Sequence, residues 1–154
     1  MNAEQLTIVA YNNQLREQVL SVWERSVLAT HKFLSEQDFH EIKEMVMTID
    51  FALLDVVCLM QDNKVIGFLG VSDKKAEMLF VDPDYLGQGL GKKLMNYAII
   101  ESSVDKVDVN EQNANAVAFY QRFGFETYER TDKDDQGRPY PLLRMKLSSN
   151  RACE

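Results

Sequence analysis

The chain has 154 residues and 45% hydrophobic content, enough for one domain with a real core, and 24 acidic against 17 basic residues leave it a net charge of -7. That balance argues against nucleic acid or an anionic membrane as the main partner and suits a cationic one. Cys58 and Cys153 form neither a metal spacing nor a disulfide framework, the first residues lack a signal-peptide pattern, and no run approaches the ~18 apolar residues of a membrane span. A cytoplasmic protein, monomer or homodimer, is the expectation.

Leu6 to Ala10 reads as a strand, with Asn12 or Asn13 placed to cap a helix over about Gln14 to Ala29 whose Leu15, Val19, Val22, Trp23 and Val27 share one face. Ser35 and Asp38 form a capping-box pattern that opens a second helix through about Ile49. From Val56 the pattern turns to β: "VVCLM", a turn at Gln61-Asp62-Asn63, "KVIGFLGVS", a turn at Asp73-Lys74, then "AEMLFV". Strict alternation in this last strand sets Glu77 opposite Ala76, Met78 and Phe80. A helix from Gly89 buries Leu90, Leu94, Met95, Ala98 and Ile99; a strand near Val107 to Val109 follows, then a helix capped by Asn113 and ended by Gly124. Strands near Phe125 to Arg130 and Leu142 to Leu147 flank a polar loop, and the tail from Ser148 is expected to fray. The order predicts a single α+β (mixed α/β) domain over residues 1 to 147, with a mostly antiparallel sheet of about seven strands and about four helices.

The bend "VDPDYLGQGLGKKLM" carries the chemical signal. Its glycines at 87, 89 and 91 let backbone N–H groups approach a ligand closely. Lys92 and Lys93 then sit at a helix start that already carries partial positive charge, which calls for an anion such as a phosphate. The plain alternative is a glycine-rich turn with solvated lysines. No Gly-Lys-Ser/Thr ending makes a P-loop, and neither the Gly-x-Gly-x-x-Gly fingerprint nor its βαβ setting is present.

Two segments in this order, "LFVDPDYLGQGLGKKL" and "VNEQNANAVAFYQRFGF", resemble the GNAT superfamily of N-acetyltransferases over nearly the whole domain. "WERSVLATHKFLS" and "DDQGRPYPLL" narrow the likeness to YjaB-type bacterial members. The resemblance implies acetyl-CoA as cosubstrate, its pyrophosphate held at Gly87, Gln88, Gly89, Gly91 and Lys92, its pantetheine arm paired with the backbone of Leu79 and Val81, and a contact from Asn113. The chain departs from the family pattern at Leu86, where Gln or Arg is usual.

Acetyl transfer to an amine needs an unprotonated nitrogen, a polarised thioester and a proton for the departing thiolate. Tyr120 matches the family's acid, and a phenol with pKa about 10 holds its proton at neutral pH. Glu77 is the candidate base through a water, with His31 as its rival. His31, Phe33 and Tyr140 are the candidate amine pocket, although Phe33 can equally anchor the core. His40 reads as surface helix. The loop "DKDDQG" begins like a calcium loop, but Leu143 at its twelfth place supplies no carboxylate, so no metal is expected. These residues predict an N-acetyltransferase acting by direct attack on a peptide or protein lysine or a small amine, with a non-catalytic acyl-CoA-binding module as the alternative.

Overall fold

The computed structural model describes residues 6–148, so the expected frayed tail lies almost wholly outside the described residues. Eleven principal elements follow in chain order: β1 (Leu6–Ala10), α1 (Arg16–Thr30), α2 (Glu36–Met47), β2 (Asp55–Gln61), β3 (Lys64–Ser72), β4 (Lys75–Val81), α3 (Leu90–Ser102), β5 (Lys106–Asn110), α4 (Ala114–Phe123), β6 (Phe125–Thr131) and β7 (Leu142–Leu147). Asn12 caps a short 3-10 turn that leads into α1, accepting from the Gln14 N–H at 2.9 Å. Ser35 accepts from the Asp38 N–H at 3.1 Å at the start of α2, as the capping pattern predicts. No described helix is long and apolar enough to cross a membrane.

The strands form one sheet in the order β1-β2-β3-β4-β5-β7-β6. It is two antiparallel halves, β1 to β4 and β5-β7-β6, joined by a short parallel seam in which Lys75 pairs with Lys106 and Ala76 with Val107. Beyond that seam β4 runs on through Val81 without a partner on its β5 side among the described residues. A cleft lined by backbone therefore opens in the middle of the sheet. Unpaired strand backbone of this kind is a template for an extended ligand.

Each face of the sheet carries its own core. Leu90, Leu94, Met95 and Ala98 of α3 and Tyr120 of α4 pack with Leu59, Ile66, Leu69 and Met145 on one face. Val19, Val22, Trp23 and Val27 of α1 and Val46 of α2 pack with Cys58, Met60, Phe68 and Phe51 on the other. Burial on both sides explains why β2 and β3 read as continuous apolar runs rather than alternating ones.

The strict alternation expected in β4 is broken. Gly70 of β3 pairs with Met78 while its neighbour Val71 pairs with Ala76, so Glu77 is the extra residue of a β-bulge. Ala76 then shares the α3 face with Leu79 and Val81, whereas Met78 and Phe80 turn to the α1 face. Glu77 is exposed, next to the last residue of the seam. The bulge thus coincides with the place where the two half-sheets part.

Candidate active site

The bend after β4 is built from its own turn chemistry. Asp82, nearly fully buried, accepts from the Asp84 N–H at 2.9 Å and caps a 3-10 turn over Pro83–Tyr85, and its own N–H donates to the Ile66 carbonyl at 2.8 Å. Arg25 of α1 reaches across to both carboxylates, at 2.6 Å to Asp82 and 2.8 Å to Asp84. Burying one carboxylate is tolerable because it is hydrogen-bonded and ion-paired. The bend is therefore tied to α1 before it reaches its glycines.

Gly87 and Gly89 take φ values of +82° and +77°, a conformation L side chains rarely adopt, and Gly89 caps α3 without a side chain. From Gly87 through Lys92, no backbone N–H finds an acceptor among the described residues. Consecutive unpaired donors at the amino end of a 13-residue helix make an anion cradle. It faces a cavity of about 590 Å³ lined by Val81, Tyr85, Leu86, Gly87, Gly89, Leu90, Gly91, Lys92, Asn96, Phe119, Arg122 and Phe123. Val81, three glycines and Lys92, named from sequence, meet here, while Gln88, exposed in the same bend, is not part of the lining.

Arg122 joins the site without having been singled out by any motif. It stands on α4 with Phe119 and Phe123, and their spacing of three and four residues sets all three on one helical face toward the cavity. Arg122 brings a second cation, with Lys92, to a cradle whose Gln/Arg position is filled by the apolar Leu86. The spacing is present in the sequence, but only the packing of α4 beside α3 gives it a purpose.

Tyr120 follows Phe119 on α4 and packs into the core on the α3 face of the sheet, outside the lining of that cavity. It is buried, with its ring edge-to-face against Phe119 at 5.2 Å and Phe125 at 5.9 Å. Burial pushes its pKa up to about 12. Its hydroxyl has no hydrogen-bond partner among the described residues, yet its oxygen is not sealed from the surface. The arrangement is a phenol that stays protonated and has a free donor. Asn113 accepts from the Ala116 N–H at 3.3 Å, capping α4, and Leu79 packs half-buried on the α3 face beside the unpaired edge of β4.

The three residues expected to form an amine pocket come together from distant parts of the chain. His31 and Phe33 have ring centroids 5.3 Å apart, and Phe33 lies 5.9 Å from Tyr140. The Tyr140 hydroxyl donates to the Asp38 carboxylate and accepts from the Ser35 N–H at 3.2 Å. Arg138 reaches Glu41 at 3.1 Å and lies 3.7 Å from Asp38. These contacts join α2, on the β1 to β4 side, to the β6–β7 loop of the other half-sheet, so a clasp bridges the halves in addition to the β4–β5 seam. His40 is exposed. Asp134 accepts from the N–H groups of Gln136 and Arg138, so this carboxylate of the calcium-like loop serves as a turn former.

A sheet that divides beside β4, with a bend of unpaired N–H groups after it, goes with an acetyltransferase fold, and the chain belongs to the GNAT acetyltransferase family: residues 16–148 match the acetyltransferase (GNAT) domain. It is 42% identical over 132 residues to the peptidyl-lysine N-acetyltransferase YjaB of Salmonella typhimurium, covering 84% of this chain and 89% of that one. The solution structure of apo YjaB from Escherichia coli superposes with a TM-score of 0.85 at 32% identity, over 93% of this chain and 97% of the other. The PaiA N-acetyltransferase of Thermoplasma acidophilum, solved in complex with coenzyme A, shares the fold at a TM-score of 0.71 and 20% identity, over 93% and 99% of the two chains.

Proposed function

We propose that this acetyltransferase moves the acetyl group of acetyl-CoA to the side-chain amine of a lysine in a peptide or protein, by direct attack within a ternary complex in the cytoplasm. The observation that carries the reading is the run of unpaired N–H groups from Gly87 to Lys92 beside an unpaired strand edge. The pyrophosphate of the coenzyme matches the first, aided by Lys92 and Arg122, with Gln88 near enough in the chain to assist. The amide-bearing pantetheine arm matches the second through β-type hydrogen bonds with Leu79 and Val81, and Asn113 adds a contact at the start of α4.

That docking aims the thioester along the cleft toward Tyr120. The amine nitrogen attacks the carbonyl carbon, the C–S bond breaks, and Tyr120 protonates the departing sulfur. Glu77, exposed at the mouth of the cleft, attracts the cationic acceptor, and His31, Phe33 and Tyr140 wall its aliphatic stem. The lysine assignment is supported by the names of the YjaB relatives and by the net charge of -7. The test measures thiol release from acetyl-CoA with a blocked lysine peptide and with a polyamine, alongside calorimetric titration of coenzyme A. Release with the peptide exceeding that with the polyamine is expected, and coenzyme A producing no binding heat refutes the reading.

A further inference from the structure

The hydrogen bonds around His31 determine which of its ring nitrogens carries the proton. Thr30 Oγ1 lies 2.8 Å from the Ser26 carbonyl oxygen and 2.8 Å from His31 Nδ1. A carbonyl only accepts, so the single hydroxyl proton of Thr30 goes to Ser26, and Thr30 Oγ1 must accept from an Nδ1–H. The neutral imidazole therefore carries its lone pair on Nε2. Nε2 has no partner among the described residues and is not closed off from the surface. Because Nδ1 is bonded back to the last turn of α1, Nε2 lies on the side of the ring away from that helix.

Resting on the acetyl-transfer reading above, we propose that His31, oriented by the Ser26–Thr30 relay and set beside Phe33 and Tyr140, is the general base that takes the proton of the attacking amine at Nε2. Its surroundings suit the task. Lys32, next in the chain, is exposed, and Asp38, Glu41 and Arg138 around Tyr140 engage Tyr140 and one another. Burial lowers the His31 pKa, keeping the ring neutral and able to accept at neutral pH. Glu77 has no such support: it is an exposed carboxylate on a bulge.

The step balances without a further reactant. The acceptor, drawn in as its ammonium, first gives one proton to solvent; the lone pair of the neutral amine then forms the N–C bond while a second N–H proton passes to His31 Nε2. The C–S bond breaks with its electron pair on sulfur, which takes the phenolic proton of Tyr120. The proton on His31 then returns through solvent to the Tyr120 phenolate. The products are the acetylated amine and the free thiol.

The test uses the full chain with acetyl-CoA and a blocked lysine peptide. His31→Ala is expected to lower kcat by about a hundredfold or more, the usual weight of a general base. Free imidazole should restore part of that loss. His31→Gln can still donate to Thr30 and guards against a folding defect, and it should be equally slow with an unchanged thermal melt. In the parent, kcat should fall on acidification with a midpoint below the ordinary histidine value of about 6.5, and both variants should lack that limb. Thr30→Val, which removes the acceptor for Nδ1, should shift the midpoint while leaving the KM for acetyl-CoA unchanged. Retained kcat in His31→Gln, an unaltered acid limb, or abolition of activity by Glu77→Gln together with silence at His31 would overturn the assignment. Absence of thiol release in the parent enzyme instead marks failure of the acetyl-transfer reading itself.

Discussion

Replacing Gly91 and Gly89 separately by alanine distinguishes a bend made for folding from one made for a ligand. Gly91 lies inside α3, and a Cβ there would meet Phe119 Cζ at 3.5 Å and Cε1 at 3.6 Å, ordinary contact distances. Alanine exceeds glycine in helix propensity by about 0.8–1 kcal/mol in a helix interior, and a first-turn site should realise about half to all of it. Gly91→Ala is thus expected to raise the melting temperature by about 1–4 °C. The same methyl would stand among the free N–H groups that face the cavity. Losing one hydrogen bond to a charged group costs about 1.5–3 kcal/mol, a weakening of coenzyme A binding by about tenfold to a hundredfold. Gly89, with φ +77° and open space where a methyl would stand, should respond differently: alanine in a left-handed conformation costs about 1–2 kcal/mol, so both stability and affinity fall. Thermal melts and calorimetric titration with coenzyme A read both quantities. If Gly91→Ala binds the coenzyme as tightly as the parent, the bend does not hold the pyrophosphate and the argument for the cradle fails.

Tyr120→Phe keeps the ring contacts and should lower kcat far more than acetyl-CoA affinity. It should also remove an alkaline instability: with the folded pKa raised to about 12 and the unfolded value about 10, the unfolded chain loses its proton first as pH rises, so the parent should lose about 2–3 kcal/mol between those values that the variant keeps. Denaturant melts at alkaline pH compare the two. Arg25→Ala strands the buried Asp82 and should raise the KM for acetyl-CoA with a smaller change in kcat, and steady-state kinetics with acetyl-CoA varied separates the two. Arg122→Ala should weaken coenzyme A binding and flatten its dependence on salt, measured by titration across ionic strengths; an unchanged salt dependence would remove Arg122 from the cradle. Because burial lowers the His31 pKa, its unfolded form binds protons first, so its contribution to stability is present above about pH 6.5 and is lost as pH falls through the folded value; acid melts of His31→Gln should lack that slope.

Much of the fold was legible because its signals are local. Caps at Asn12, Ser35 and Asn113, the helical spacing of Leu90, Leu94, Met95 and Ala98, and the glycine bend each depend on residues a few positions apart. The choice of Tyr120 and of the amine-pocket residues came instead from the resemblance to the family, since spacing alone reads Tyr120 as a core aromatic. The β4 bulge was not legible, because it is a mismatch of register between Gly70–Val71 and Ala76–Met78 that neither strand displays alone. Nor was Arg122, whose role depends on α4 lying beside the amino end of α3. The sequence by itself determined the order of the elements and the glycine bend between β4 and α3. Only tertiary structure decided where the half-sheets part, which cations reach the cradle and which His31 nitrogen is free, because those depend on pairings between residues far apart in the chain and on hydrogen-bond directions that composition and spacing do not encode.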